Sequence, residues 1–249
     1  MKYGICPLTV VPLRGEPRDA SEMVSQVLYG ECFEVLQKEE KWSLIRLTHD
    51  LYEGWIDNKQ YNFINNDQFD AIKNQPDQRC IDFIAFATDP QEQLIPLTFG
   101  AKLNALSYLQ HQFDGELASG IQSKNRLTEI ALIFLNAPYL WGGRTPFGID
   151  CSGFTQIVYL LCGHSLLRDA SQQATQGKVL SFIEESEPGD LAFFDNEEGR
   201  IIHVGIILKN NHIIHAHGKV RIDQLDHTGI FNSDTSTYSH QLRLIKKIF

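Results

Sequence analysis

Gly148-Ile149-Asp150-Cys151-Ser152-Gly153-Phe154 sets a helix-capping aspartate directly before a cysteine. An N-cap carboxylate accepts the backbone N–H groups that a helix start leaves unpaired, so Cys151 falls in the first turn of a helix. Phe154, Ile157, Val158 and Leu161 follow at i, i+3, i+4 and i+7, and Gly163 fits the C′ position that ends the helix. In that first turn the free N–H groups and the positive end of the dipole favour a thiolate over a thiol, which makes Cys151 a candidate nucleophile. Its small neighbours Ser152 and Gly153 leave room for a substrate carbonyl.

The surroundings read as α+β. Ser123 or Asn125 caps an earlier helix with Leu127, Ile130, Ala131 and Phe134 at helical spacing, ended by Pro138. After the cysteine helix come strands at Leu191 to Phe194, Ile201 to Leu208, His212 to Ala216 and Gln241 to Ile248. Residues 1–122 are β-rich, with short strands at Gln26 to Tyr29, Cys32 to Leu36, Ser43 to Leu47 and Gly54 to Ile56, a spacing that suits a small barrel. Leu28-Tyr29-Gly30-Glu31-Cys32-Phe33 is echoed by Leu97 to Leu103 as strand, glycine turn and strand, which favours two tandem barrels joined by the polar run 65–77. The expected domains are 1–58, 59–122 and 123–249.

A thiol nucleophile needs a base, and the base needs an orienting partner. His203 lies in an apolar strand and shares its face with Ile201, Gly205 and Ile207. If Lys209-Asn210-Asn211 makes a three-residue turn, 208 pairs with 212, and both His215 and His217 share the face of His203. A two-residue turn would put His215 on the other face. Strand geometry leaves His215 and His217 equivalent. Zinc is the competing use of such a cluster, but no CxxC, HExxH or comparable spacing occurs, and no metal is expected.

The whole chain narrows the partners. A formal net charge of −9 over 249 residues disfavours nucleic acid and anionic membrane. No stretch approaches the roughly 18 apolar residues that span a bilayer. The start, MKYGICPLTVVPLRGEP, lacks the order of a secretory signal, so a cytoplasmic location is expected. Five cysteines are an odd number with irregular spacing, which fits a reducing compartment. Cys6, Cys32, Cys80 and Cys162 sit in apolar or strand-like surroundings and read as buried structural thiols.

Several motifs then line up in order: Ala137-Pro138-Tyr139-Leu140-Trp141-Gly142-Gly143, Phe147 to Phe154, Glu187-Pro188-Gly189-Asp190-Leu191, His203-Val204-Gly205-Ile206 and Ile214-His215-Ala216. Together they resemble the NlpC family of cell-wall cysteine peptidases across the last half of the chain. The resemblance implies a papain-like α+β catalytic domain preceded by small all-β SH3-like barrels. It implies Cys151 as nucleophile, His203 as base, His215 as orienting residue and Tyr139 as support for the oxyanion, with Trp141 and Ser152 beside the substrate. No cofactor is implied.

Ser21 to Gln26 with Leu28-Tyr29-Gly30-Glu31, and Arg168-Asp169-Ala170-Ser171, are similar to segments of the γ-D-glutamyl-L-diamino acid endopeptidases of that family. That likeness implies peptidoglycan-derived peptides such as L-Ala-γ-D-Glu-diaminopimelate as substrate. In those enzymes the first barrel closes one end of the groove, and two carboxylates hold the free ammonium of L-Ala. Carried over, Asp169 and Glu22 take that part, with Tyr52 and Ser171 at the same end. A related hydrolase of intact stem peptides, another amidase of the same fold and an inert peptide- or glycan-binding module are the rival functions.

Overall fold

Along Trp42–Leu47 half-buried and buried side chains alternate residue by residue, the pattern of a strand with one face on a core. In the computed structural model, which describes residues 2–249, the chain divides into two units, Met1–Ile121 and Gln122–Phe249.

The first unit opens with seven strands: β1 (Tyr3–Ile5), β2 (Val10–Arg14), β3 (Met23–Leu28), β4 (Cys32–Lys38), β5 (Trp42–Leu47), β6 (Glu53–Asp57) and β7 (Asn62–Ile64). They form one antiparallel sheet in the order β3-β2-β6-β5-β4-β1-β7 around Val11, Leu13, Val27, Phe33, Ile45, Leu47 and Ile56. The polar run expected to be a linker is instead α1 (Asn66–Lys73). Asn65 and Gln68 form a reciprocal capping box there, and Phe69 and Ile72 bury one face at i, i+3 spacing. Two apolar residues among polar ones were enough for a helix.

Smaller sheets follow. β8 (Gln78–Cys80) pairs with β12 (Leu117–Ser119), while β9 (Ala85–Thr88) lies between β10 (Leu94–Leu97) and β11 (Gln112–Asp114). The echo of the first glycine turn stops short of a strand. Gly30 and Gly100 both have positive φ, but after Gly100 the chain enters a 3-10 turn, Leu103–Ala105, and then α2 (Leu106–Leu109). The Lys102 amide donates to the Tyr29 carbonyl at 2.7 Å, so the two turns pack on one another.

In the second unit, Ser123 caps α3 (Lys124–Ile133) by accepting the Arg126 amide. A short hairpin of β13 (Arg144–Thr145) and β14 (Gly148–Ile149) leads into α4 (Cys151–Leu161), and α5 (Ala170–Gln173) follows. The remaining strands are β15 (Lys178–Leu180), β16 (Leu191–Asp195), β17 (Ile201–Leu208), β18 (His212–His217), β19 (Lys219–Leu225), β20 (Gly229–Asn232) and β21 (Thr237–Lys247). β16 to β21 pair in sequence order, and β21 also pairs with β16, so these six strands close into a barrel. Ala192, Phe194, Ile207, Ile213, Leu225, Ile230 and Ile245 form a buried cluster of this barrel. By strand alternation Gly205 and His203 continue the face of Ile207, and His215 that of Ile213. The imidazoles therefore lie on the face that carries the apolar cluster.

Candidate active site

Asp150 does more than cap α4. Its Oδ1 accepts the Gly153 amide at 2.6 Å and its Oδ2 the Gly142 amide at 2.8 Å. Arg168, 1% exposed, closes on both oxygens, at 3.0 Å through Nη1 and 2.6 Å through Nη2. The Ser152 hydroxyl joins this network, accepting from Arg168 at 3.0 Å and donating to Asp150 Oδ1 at 3.3 Å. Ser152 thus spends its hydroxyl internally, and toward a substrate it offers backbone.

The glycines of the two motifs serve close backbone approach. A Cβ on Gly153 would stand 2.3 Å from the Gly143 carbonyl oxygen, and one on Gly143 would stand 2.3 Å from that of Gly148. Gly153 therefore makes room for the Gly143 carbonyl, where the sequence suggested room for a substrate. The Trp141-Gly142-Gly143 loop is pressed onto the start of the cysteine helix.

Cys151 is the first residue of α4 and is 7% exposed. Burial pushes its thiol up to about 12, and the neighbouring Asp150 carboxylate adds to the shift. Hydrogen bonds from the backbone of Val204 and Ser152 and the charge of Arg168 pull the other way without prevailing. Burial therefore works against the thiolate that the helix start favours. Its contact with Val204 sets the sulfur beside β17, one residue from His203.

Lys209-Asn210-Asn211 makes the three-residue turn, with both asparagines at φ 57°, and Leu208 pairs with His212 and Gly205 with His215. His203 Nε2 stands 2.8 Å from His215 Nδ1. The ring of His217 is 6.5 Å from that of His203, and its residue is exposed. Of the two histidines that strand geometry left equivalent, His215 is the one hydrogen-bonded to His203. His215 Nε2 in turn contacts Asp223 Oδ2 at 2.9 Å, and Arg221 grips that carboxylate at 2.6 and 2.8 Å.

This chain settles the tautomers. The ionised Asp223 carboxylate only accepts, so His215 donates from Nε2 and accepts at Nδ1. His203 must then donate from Nε2, which leaves its Nδ1 lone pair to take a proton. His203 is buried and held neutral, its basicity well below the ordinary imidazole range through burial first and the nearby His215, His240 and His217 after it.

Asp223 and His240 are the residues the sequence reading missed. Asp223 lies on β19, a strand not foreseen, and His240 lies just ahead of the strand drawn from Gln241. The His240 ring stacks on His203 at 4.1 Å between centroids. Arg168 was legible only as part of a motif, with no hint of its buried partner.

Tyr139, half-buried, donates its amide to the Gly218 carbonyl. Burial, followed by the nearness of Cys151 and Asp150, pushes its phenol up to about 12, so it remains an O–H donor. Trp141 is 60% exposed on the same loop. Asp169, partly buried, is the N-cap residue of α5, its amide donating to the Gln172 side chain, and Ser171 is exposed in that helix. In the first unit, Glu22 is exposed immediately before β3, and Tyr52 packs partly buried against the first barrel's core.

The buried imidazoles predict acid lability. His203, His215 and His240 are all held below the ordinary value, His240 at about 4, chiefly by burial. Below pH ~6.5 the unfolded chain therefore binds more protons than the folded one, and stability falls with pH. Asp223, held at about 2 by His215 and Arg221 against its burial, acts in the same direction at lower pH. Its contribution is complete above pH ~4 and lost as pH falls through 2. Thermal melting followed between pH 7.5 and 5 is expected to show a midpoint falling by several degrees, and a flat midpoint over that range would contradict it.

Comparisons with known proteins bear on the same residues. Residues 136–238 match the NlpC/P60 family, and residues 13–60 match the bacterial dipeptidyl-peptidase SH3 domain. A 92-residue stretch is 40% identical to the γ-D-glutamyl-L-lysine dipeptidyl-peptidase of Bacillus subtilis, covering 36% of this chain and 31% of that protein. Dipeptidyl-peptidase 6 of Lysinibacillus sphaericus is 26% identical over 86% of this chain and 88% of its own. The crystal structure of an NlpC/P60 family protein from Bacillus cereus superposes with a TM-score of 0.83 at 20% identity, covering 99% of each chain. That likeness supports the fold.

Proposed function

Taking the chain as a cysteine peptidase with an NlpC/P60 domain at 136–238 behind a bacterial dipeptidyl-peptidase SH3 domain, we propose that it hydrolyses the γ-D-Glu–diamino acid bond of peptidoglycan peptides with a free N-terminal L-Ala. The observation that carries the reading is the relay Asp223–His215–His203 beside a capped cysteine.

The γ-carbonyl carbon is attacked by Cys151 Sγ as His203 Nδ1 takes the thiol proton. Proton transfer and attack occur together. The tetrahedral oxyanion receives the Tyr139 hydroxyl and backbone N–H at the start of α4. On collapse the C–N bond breaks, and the His203 imidazolium protonates the leaving amine of the diamino acid. Water, deprotonated by His203, then opens the thioester and returns the thiol and a free γ-carboxylate.

Specificity for a free amine follows from charge. Asp169, in the segment Arg168-Asp169-Ala170-Ser171, pairs with the L-Ala ammonium, and an N-acetyl cap would remove the charge that this carboxylate attracts. The name of the Bacillus subtilis relative specifies L-lysine; diaminopimelate presents the same α-amine to the scissile bond. Such a substrate suits the recycling of released murein fragments.

Mass spectrometry of products from L-Ala-γ-D-Glu-diaminopimelate, its lysine counterpart and their N-acetyl forms tests this. Both free peptides are expected to release the diamino acid, with the acetylated forms slower by about a hundredfold or more in kcat/KM. Equal rates would point to a hydrolase of intact stem peptides.

A further inference from the structure

β17, β18 and β21 each bring one imidazole to the same cluster. Ring nitrogens of His203, His215 and His240, one from each, all lie within 4.8 Å of one another. From this geometry we propose that the three histidines form a site for a borderline divalent metal ion, Zn²⁺ above all. The ion bound there silences the peptidase reversibly by occupying its base. The inference goes beyond the peptidase reading and concerns the histidine cluster whatever the substrate.

Three imidazoles with an open fourth position are a zinc donor set, and they suit zinc better than the oxygen-seeking Mg²⁺ or Ca²⁺. The surrounding groups already hold two of the rings as ligands. His215 gives its Nε2 hydrogen to Asp223 at 2.9 Å, which leaves Nδ1 to face the site, and Arg221 fixes the carboxylate. A ligating histidine whose other N–H meets a carboxylate is the usual support of a zinc centre. His240 Nδ1 contacts the Ser239 hydroxyl at 2.9 Å, leaving Nε2 for the ion.

In the metal-free enzyme a shared proton occupies the gap between His203 Nε2 and His215 Nδ1, 2.8 Å wide. Two nitrogens on a tetrahedral zinc stand roughly 3.3 Å apart, from Zn–N bonds of about 2.0–2.1 Å. The two rings must therefore spread by about half an ångström as the ion replaces the proton, and the His240 ring must turn out of its stack on His203 to direct a nitrogen at the ion. The displaced proton moves to His203 Nδ1, so the ligand set stays neutral and no net proton is released. His203 then lacks the lone pair that the thiol proton needs, and catalysis stops.

Entry lies on the side of His240 and His217. His203 and His215 are buried, whereas His240 is partly exposed and His217 fully so. Sequence spacing hides the set, since the ligands come from three strands of a closed barrel rather than from a short motif.

A thiol can also capture zinc, so the test must separate the cysteine from the histidines. Co²⁺ serves as the visible probe and Zn²⁺ as the competitor, both with the full chain. The Cys151→Ala protein is expected to bind one Co²⁺ with tetrahedral d–d bands, displaced by one equivalent of Zn²⁺. His240→Phe keeps a ring over His203 but offers no nitrogen, and His240→Gln is the second variant in case the larger ring disturbs the barrel. Each is expected to weaken metal binding by about tenfold or more. Zn²⁺ inhibition is read against each variant's own activity in chelator, and the concentration for half-inhibition is expected to rise by the same factor. Binding lost in Cys151→Ala, or unaltered affinity in both His240 variants, overturns the site. Because binding is read without substrate, failure of the proposed peptide specificity would leave this result standing.

Discussion

In the Cys151→Ala protein, release of the diamino acid from free L-Ala-γ-D-Glu-diaminopimelate is expected to fall by about a million-fold. The expectation rests on the sulfur forming the bond that replaces the amide, which no neighbouring group can supply. His203→Ala should be nearly as severe. The resting thiol is held up to about 12, so without a base almost none of it ionises at neutral pH. Asp223→Asn makes the finer test. It keeps the shape of the relay, but an amide meets Arg221 with one acceptor in place of two and no longer dictates which nitrogen of His215 carries the proton. Loss of the tautomer order at one remove from the base is expected to lower kcat by about 10- to 100-fold, short of the roughly 10⁴ known for a directly bonded orienter. KM should change little, since Asp223 is buried behind His215. A Cys151→Ala enzyme still turning over at the parental rate would remove the mechanism altogether.

Much of this site was legible because its signals are local. The aspartate before Cys151 and the apolar spacing after it identify a helix start from a handful of residues, and the structure has Asp150 as the cap of α4. The Asn-Asn turn limited the register to two choices, and the positive φ of both asparagines realises the one that brings His215 across from Gly205. What was hidden depends on contacts far apart in sequence. Asp223 lies in Lys-Val-Arg-Ile-Asp-Gln-Leu, where the polar and apolar alternation of a strand breaks at Asp-Gln, and nothing local says that its carboxylate ends beneath an imidazole. His240 reaches His203 only because β21 closes the barrel against β16. What opposes the thiolate was hidden for a related reason. Helix position can be read along the chain, whereas the depth of burial that opposes it arises from packing.

Replacing Arg168 by Met is expected to cost about 3–5 kcal/mol in the unfolding of the second unit, the range for stranding one member of a buried pair. Arg168 meets both oxygens of Asp150, and both residues are shielded from water. Without the guanidinium, the carboxylate keeps the Gly142 and Gly153 amides but loses its only counter-charge among its described contacts. The same change should depress activity. Asp150 raises the Cys151 thiol and Arg168 opposes it, so removing the arginine leaves the opposition to ionisation unanswered. The double variant Asp150→Asn, Arg168→Met separates the two effects. Asn caps a helix about as well as Asp, and no charge is then left buried. It should regain part of the stability lost by Arg168→Met alone, since the Asn NH2 faces one of the two amides that the carboxylate accepted, and part of the activity, because the carboxylate that raised the thiol is gone as well. Denaturant melts and kcat on the three proteins give the cycle. If Arg168→Met melts as the parent does, or the double variant is no more stable than Arg168→Met, then the ion pair is not what seats the helix that carries Cys151.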